Sequence, residues 1–132
     1  GSLRYGSPKL TARADATLPN SPGSFGYDDD GVPAQNNLLI DKGILVGAIT
    51  GRQMVEEANA RARREIFHGS GGCNRATAFY RVPIERMTNI NIDPGQDGSL
   101  EDIISQTGKG ILLDGDRSWS IGSNREQFSR AG

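Results

Sequence analysis

The residues best suited to chemistry lie on either side of a proline near the middle of the chain. Arg81 and Arg86 flank Pro83, which removes a backbone donor and pushes the preceding residue toward extended backbone. A β-rich run, Met87 to Ile92, follows directly. Two arginines on rigid extended backbone are suited to binding an anionic or peptide partner. A proline-broken strand with solvated arginines is the alternative interpretation.

The sequence contains one histidine, His68, and one cysteine, Cys73. A catalytic zinc site needs about three protein ligands, usually histidine, cysteine and carboxylate side chains. No second histidine exists to complete an H-E-x-x-H helix. We therefore expect no metal ligand in this chain alone. His68 is interpreted as a helix-terminal residue that caps backbone carbonyls, and Cys73 as an incidental thiol.

The sequence also lacks the common motifs of nucleophilic and phosphate chemistry. There is no G-x-S-x-G elbow, no P-loop and no G-x-G-x-x-G that opens a helix after a strand. Asp28, Asp29 and Asp30 are consecutive, whereas an EF-hand loop needs oxygen ligands at alternating positions, so a turn is expected there rather than a calcium site. The sequence thus predicts no catalytic residue.

Charge is unevenly distributed along the 132 residues, whose net charge is −1. The segment Arg61–Arg86 has six arginines and two acids, whereas residues 87–132 carry a net charge of −3. A basic middle segment either faces an acidic partner or forms a solvated face. The charge of the whole chain favours neither nucleic acid nor an anionic membrane, and no apolar run is long enough to span a bilayer. The single cysteine is typical of a reducing, cytoplasmic location.

The clearest predicted element is a β-hairpin. Leu38–Ile40 and Ile44–Ile49 would form its strands around the turn Asp41–Gly43, with Gly43 in the left-handed position of a three-residue loop. Apolar residues fall on both faces, so we expect this hairpin to be buried on both sides and central in the fold. A weaker strand is expected over Leu10–Ala16.

Two helices are predicted. The first has Thr50 as N-cap, with Gln53 completing a capping box, and ends before the glycines of 69–72. The second has Ser99 as N-cap and stops at Gly108. Each helix has an expected apolar side, formed by Met54, Ala58, Ala62 and Ile66 in the first and by Leu100, Ile103, Ile104 and Thr107 in the second.

A second hairpin is predicted to pair Ile111–Leu113 with Trp119–Ile121 around the turn Asp114–Asp116. The order strand, hairpin, helix, strand, helix, hairpin predicts an α+β fold of largely antiparallel β hairpins and sheets with two helices. The length is that of one domain, so residues 1–132 are expected to form a single domain or a sub-domain fragment.

The order of these motifs resembles the TldD/PmbA family of peptide-processing metalloproteases, also described as modulators of DNA gyrase. The resemblance covers roughly residues 9 to 130. Its most specific part is the block Arg86–Met87–Thr88–Asn89 preceded by Tyr80–Arg81. The other matching stretches are Leu10–Thr17, Asp28–Pro33, Leu39–Gly47, Gly110–Gly115, and Trp119–Ile121 before Arg125–Phe128.

This resemblance implies a zinc peptidase whose metal ligands lie elsewhere. Family members that carry the metal have an H-E-x-x-x-H helix upstream of this region and a cysteine ligand downstream of it, and neither is present here. The chain therefore resembles an internal piece of the catalytic-type C-terminal domain, a scaffold between the two halves of the zinc site. Zinc is expected in the intact enzyme only. A stand-alone, metal-free paralogue is the alternative.

The resemblance also implies an unfolded or extended peptide as substrate, and a family partner subunit or self-association. Such a protease can bind a peptide as an added strand. The predicted substrate-binding residues are Arg81, Arg86, Met87, Thr88 and Asn89. The two arginines would hold a substrate carboxylate, and the last two residues offer hydrogen bonds. The alternative is a non-enzymatic interaction module that binds an acidic protein or, less expected, nucleic acid through the arginine-rich middle.

Overall fold

The computed structural model describes residues 3–112, 114–115, 117–122 and 126–131, and its chain divides into two compact units, Gly1–Gly95 and Gln96–Gly132. None of the helices in the described ranges is long and apolar enough to cross a membrane. The described residues form these strands and helices, in chain order: β1 Leu3–Arg4, β2 Ala12–Asp15, β3 Asn36–Asp41, β4 Ile44–Leu45, α1 Arg52–Ala62, β5 Asn74–Arg75, β6 Ile84–Glu85, β7 Asn89–Ile92, α2 Leu100–Gln106, β8 Ser118–Ile121 and β9 Phe128–Ala131.

The first unit is built on a five-stranded antiparallel sheet with the strand order β1-β4-β3-β2-β7. The predicted α+β class, with two helices and antiparallel pairing, is confirmed. Strand β3 is central, as expected for the first hairpin, and β2 lies within the predicted segment 10–16. The buried apolar side chains are few and mostly small: Ala12, Ala14, Ala16, Ile40 and Cys73.

The β3–β4 hairpin has a two-residue turn, so the predicted three-residue loop is wrong. Lys42 and Gly43 have φ values of 46° and 81°, the pattern of a type I′ turn, whose twist matches that of the flanking strands. A Cβ at Gly43 would lie 2.4 Å from the carbonyl oxygens of Gly6 and Ser7. The expected burial on both sides is also wrong, because Leu45 and Val46 are exposed.

Helix α1 begins one residue later than predicted. Gly51 is its N-cap without a side-chain cap, because Thr50 is buried and its carbonyl accepts the N–H of Gly71 at 2.8 Å. The helix ends at Ala62, where Arg63 adopts a left-handed conformation with φ 51°. The predicted stripe is therefore wrong, since Ile66 lies beyond the helix and no residue of α1 is buried.

The sequence predicted that His68 caps the end of α1, and this prediction is wrong. Its Nδ1 lies 3.2 Å from Oε1 of Glu65, on an exposed part of the surface. The segment after α1 is held instead by Asn59, whose side-chain amide bonds to Phe67 and to the N–H of Ile66. Asn59 thus fixes the segment that follows α1.

The second unit contains α2, whose N-cap is confirmed. Ser99 Oγ accepts the N–H of Asp102, and the Asp102 carboxylate accepts the N–H of Ser99, which completes a capping box. The side of α2 expected to face inward is half exposed. It lines a cavity of about 250 Å³ together with a short following segment; the lining residues are Leu100, Ile103, Ile104, Thr107, Gly110, Ile111 and Leu112.

The second predicted hairpin pairs the wrong strands. Strand β8 pairs with β9, with Trp119 opposite Arg130, and residues 111–112 form no strand. Leu113, Asp116 and Arg125, which belonged to the predicted hairpin and motif, lie outside the described residues.

Candidate functional site

A shallow cleft in the first unit brings three arginines together. Its volume is about 490 Å³. The predicted residues Arg81 and Arg86 both line it, and Arg75 joins them. The other lining residues are Ala76, Thr77, Val82 and Ile84. The cleft that Arg75, Arg81 and Arg86 line is called the arginine cleft below.

Strand alternation places two of these arginines on one face of the β5–β6 ribbon. Arg75 lies opposite Ile84, and Asn74 lies opposite Glu85. Because successive side chains on a strand point to opposite faces, Arg75, Ile84 and Arg86 share the cleft side, whereas Asn74 and Glu85 share the other. Pairing continues past the strand ends, since the Arg86 N–H donates to a carbonyl across the ribbon at 3.0 Å.

The side of the ribbon away from the cleft is fixed by polar contacts. Asn74 is 2% exposed, and its Nδ2 donates to Asp30 at 2.6 Å while its backbone N–H donates to Asp28 at 3.1 Å. Glu85 Oε1 accepts the N–H of Gly51 at 3.2 Å, at the positive end of α1. The consecutive aspartates therefore form a turn that anchors the ribbon.

Arg81 lies in a turn, so the expectation of extended backbone from Tyr80 onward is wrong for its first residues. The Arg81 N–H donates to the Ala78 carbonyl at 2.9 Å, and extended pairing begins only at β6. The Arg81 guanidinium lies 5.5 Å from the ring centroid of Tyr80, which packs edge-on against Phe79 at 5.2 Å. A cation–π contact of this kind restricts the arginine.

Arg75 is the least exposed of the three cleft arginines. One Nη donates to the carbonyl of Met87, whose side chain is exposed. The Nε of Arg75 is buried, and no described residue accepts its proton. Thr88 Oγ1 is likewise buried without a partner among the described residues. Both groups are polar atoms with unused hydrogen-bonding capacity next to the start of β7.

The side chain of Asn89 is occupied within the fold. Its Nδ2 donates to the Asp15 carbonyl at 2.7 Å and to Ser24 Oγ at 2.8 Å, and its Oδ1 accepts the N–H of Gly23 at 2.8 Å. These contacts fasten the start of β7 to a loop and to β2. Asn89 therefore positions the strand.

Strand β7 lies at the edge of the described sheet, paired with β2 alone. The Asp93 N–H donates to the Thr11 carbonyl at 2.9 Å, directly opposite it. In an antiparallel ladder hydrogen-bonded and non-hydrogen-bonded pairs alternate, so the N–H and C=O groups of Ile90 and Ile92 point away from β2. The free edge of β7 thus presents two donors and two acceptors.

The Cys73 thiol is fully buried. Burial, and then the nearby Glu85 carboxylate, raise the pKa of Cys73 above the ordinary thiol value of 9.0. The thiol is therefore protonated and unreactive at neutral pH.

No group of three or more metal-ligating side chains occurs among the described residues. The single histidine is exposed and paired with a glutamate, and the single cysteine is buried and protonated. These residues do not fit a zinc ion, so no chemical step is assigned to a metal on this chain.

Sequence reasoning missed Arg75. It identified Arg81 and Arg86 from their position around Pro83, but Arg75 reaches the cleft through a strand pair formed across a turn. The available signal was the extended stretch after the glycines of 69–72, where Asn74 and Arg75 precede the turn.

Comparison with known proteins finds relatives of this chain. The family model described as PmbA/TldA metallopeptidase C-terminal domain matches residues 3–131. A metalloprotease of Methanocaldococcus jannaschii is 33% identical over 125 residues, which cover 95% of this chain and 26% of that protein. A metalloprotease TldD homologue of Buchnera aphidicola subsp. Schizaphis graminum is 39% identical over 108 residues, covering 82% of this chain and 20% of that protein.

Solved structures show the same fold. TldE from Thermococcus kodakarensis superposes with a TM-score of 0.69 at 24% identity, over 98% of this chain and 27% of that one. A putative modulator of DNA gyrase from Bacteroides thetaiotaomicron has a TM-score of 0.59 at 19% identity, over 97% of this chain and 24% of that one. The chain spans about a quarter or less of each of these proteins. It belongs to the PmbA/TldA metallopeptidase family, within the C-terminal domain that the family model describes.

Proposed function

We propose that this chain is the scaffold and peptide-binding region of a TldD/PmbA-like zinc metallopeptidase that processes or matures peptides in the cytoplasm. On this proposal the chain is inactive alone. Residues outside it supply the zinc ligands, and a family partner subunit or a second copy completes the assembly. The names of the relatives support the peptidase class.

The observation that carries the proposal is the free edge of β7. Ile90 and Ile92 direct backbone donors and acceptors away from β2, in the spacing that an added strand requires. Backbone hydrogen bonds are independent of side chains, so such an edge suits a substrate that is extended rather than folded. The Ile90 and Ile92 side chains are 46% and 69% exposed and offer apolar contact beside the edge.

The predicted substrate-binding residues take different parts in this proposal. Arg81 and Arg86 contact substrate from the cleft that immediately precedes β7 in the chain. Met87 offers an exposed side chain, and the Thr88 hydroxyl is buried at the start of β7 without a partner among the described residues. Asn89 acts indirectly, because its amide holds the start of the strand.

The proposed contact of Arg81 and Arg86 with substrate is tested by substituting both residues with alanine in the full-length protein. Loss of charge-assisted contacts should raise the peptide KM about tenfold or more, with a smaller change in kcat. The matched control is Arg52→Ala with Arg64→Ala, which removes the same charge from exposed positions on and after α1. Unchanged KM in the cleft variant would reject substrate contact by Arg81 and Arg86.

The proposed addition of the peptide to the edge of β7 is tested with peptides that are methylated at single backbone amides. Methylation removes one N–H donor. Methylating amides that face β7, at every second position of the peptide, should weaken binding strongly, whereas methylating the amides between them should weaken it little. Equal effects at successive positions would contradict strand addition.

A second candidate function rests on the same arginines. A non-enzymatic module would use them to bind an acidic protein or nucleic acid, with the steep salt dependence that phosphate contacts produce. Phe79 and Tyr80 lie beside Arg81, and two rings are few for stacking on single strands. Binding of peptides that changes little with salt would exclude this candidate.

A further inference from the structure

We propose that Arg75, Arg81 and Arg86 form a site for a carboxylate group of the bound peptide. The proposal rests on the peptide-binding function above. It adds the chemical class of group that the peptide must carry, and it adds Arg75 as a third residue of the site.

The first reason is the excess of positive charge among the residues that line the arginine cleft. None of the residues that line the arginine cleft is acidic. Glu85 belongs to the other side of the ribbon, where it bonds to the N–H of Gly51. Asp29 lines a neighbouring cavity with Arg81, and its Oδ2 accepts the N–H of Ala76 at 2.6 Å. Arg75 and Arg86 are diagonal neighbours across the β5–β6 pair, where like charges repel, and a bound anion removes this repulsion.

The second reason is the unused hydrogen-bonding capacity of Arg75. Its Nε–H is buried, and none of the described residues accepts it. A buried donor without a partner is costly, so an acceptor that reaches it on binding would remove this cost. A carboxylate matches the planar fork of a guanidinium, because its two oxygens can accept two parallel N–H bonds.

The third reason is that two of the three arginines are already restrained. Arg75 is held by the Met87 carbonyl, and Arg81 by the ring of Tyr80. Restraint before binding lowers the entropy lost when a ligand is captured.

The position of the cleft relative to β7 suggests which carboxylate is bound. Arg86 precedes the first residue of β7 by three positions, so the arginine cleft lies toward the N-terminal end of that strand. A peptide that adds to β7 in the antiparallel direction has its C-terminal end on that side. Its terminal carboxylate would then reach the arginines, whereas a parallel peptide would need an aspartate or glutamate side chain.

The experiment measures binding of four matched fluorescent peptides to the full-length protein by anisotropy. One pair differs in a free or amidated C-terminus, and the other in an internal glutamate or glutamine. We expect neutralising the recognised carboxylate to weaken binding about tenfold, while neutralising the other carboxylate changes little. The pair that responds identifies the source of the carboxylate.

The variants Arg75→Lys, Arg81→Ala and Arg86→Ala should each reduce this discrimination, whereas Arg64→Ala should keep it. Arg75→Lys keeps the positive charge but loses the planar guanidinium, so it tests whether two parallel N–H bonds are needed. It also avoids leaving a cavity at a partly buried position. Arg81 and Arg86 are exposed and their variants are expected to fold.

Two results would overturn the carboxylate site while leaving the peptide-binding function intact. One is equal affinity for all four peptides. The other is discrimination that survives in all three cleft variants. Failure of every peptide to bind, or displacement of all of them by a single-stranded oligonucleotide, would reject the peptide-binding function itself and the carboxylate site with it.

Discussion

At the scale of single residues, Gly51 shows how closely the support of the cleft is packed. Its φ of −87° is available to any residue, but an added Cβ would lie 2.2 Å from the Oδ1 of buried Asn74. Asn74 could not move without breaking its bonds to Asp28 and Asp30.

Gly51→Ala should therefore destabilise the protein by about 1–3 kcal/mol, as overpacking does. Gly69→Ala is the matched control, because nothing lies within 4 Å of a Cβ there. Chemical denaturation of both variants measures the difference, and equal stabilities would show that Asn74 is less constrained than its contacts indicate.

The buried thiol makes a second prediction at this scale. Because the pKa of Cys73 is raised above 9.0 by burial and by Glu85, the folded protein keeps its thiol proton where the unfolded chain loses it. Stability from this group is complete below the pKa of the unfolded chain and is lost as pH rises toward the folded pKa.

Alkylation by iodoacetamide should accordingly be slow at pH 7 in the folded protein and fast in denaturant. Stability should fall as pH rises past 9.0, and Cys73→Ala should remove this dependence. Rapid alkylation of the folded protein at pH 7 would contradict the burial of the thiol.

Sequence reasoning at this scale found residues whose signals are local. The two arginines around Pro83 were identified, and both line the cleft. Arg75 was missed because its place depends on pairing with Ile84, nine residues further on. The internal role of Asn89 depends on contacts with Gly23 and Ser24, more than sixty residues away, which no sequence pattern records.

At the scale of elements, the capping box of α2 offers the clearest test. Hydrogen bonds from the N–H and hydroxyl of Ser99 lower the pKa of Asp102 below its ordinary value of 3.8. Because this pKa is lowered in the folded protein, the ionised Asp102 stabilises the fold at neutral pH. That stabilisation is lost as the pH falls through the pKa of Asp102 in the folded protein.

Ser99→Ala should remove the hydroxyl bond, raise the pKa of Asp102 and destabilise α2 by about 1 kcal/mol. A carboxyl-detected NMR titration measures the pKa directly. An unchanged titration in the variant would show that the capping box does not form in solution.

Elements whose ends are specified by neighbouring residues were predicted correctly. Elements whose ends or pairing depend on residues far along the chain were not. Ser99 and its acidic first turn specified the start of α2. The start of α1 was misplaced because the buried position of Thr50 depends on the loop at Gly71. Trp119–Ile121 was correctly read as a strand, but its partner is β9 rather than residues 111–112, and alternating patterns do not reveal which strands pair.

At the scale of the whole molecule, the chain exposes much apolar surface. In the first unit Phe79, Val82 and Met87 are 99%, 69% and 69% exposed. The curated relatives are about four to five times longer than the part this chain matches. These facts fit a scaffold that other parts of a longer peptidase cover.

Elemental analysis provides a prediction at this scale. The purified 132-residue chain, prepared without added metal, should contain close to zero zinc per chain, because the described residues offer no ligand set. About one zinc per chain or per dimer would instead indicate ligation by His68 and Cys73, and the scaffold proposal would be abandoned for a shared metal site.

The central claim, that an extended peptide adds to the edge of β7, is tested most directly by amide hydrogen exchange. The measurement compares the full-length protein with and without a bound peptide, residue by residue. Ile90 and Ile92 have outward N–H groups, so their exchange should slow on binding, whereas Asn91 already donates to β2 and should change little. This alternating protection is the predicted result. Binding that leaves Ile90 and Ile92 unprotected, or protects all three amides equally, would contradict the account.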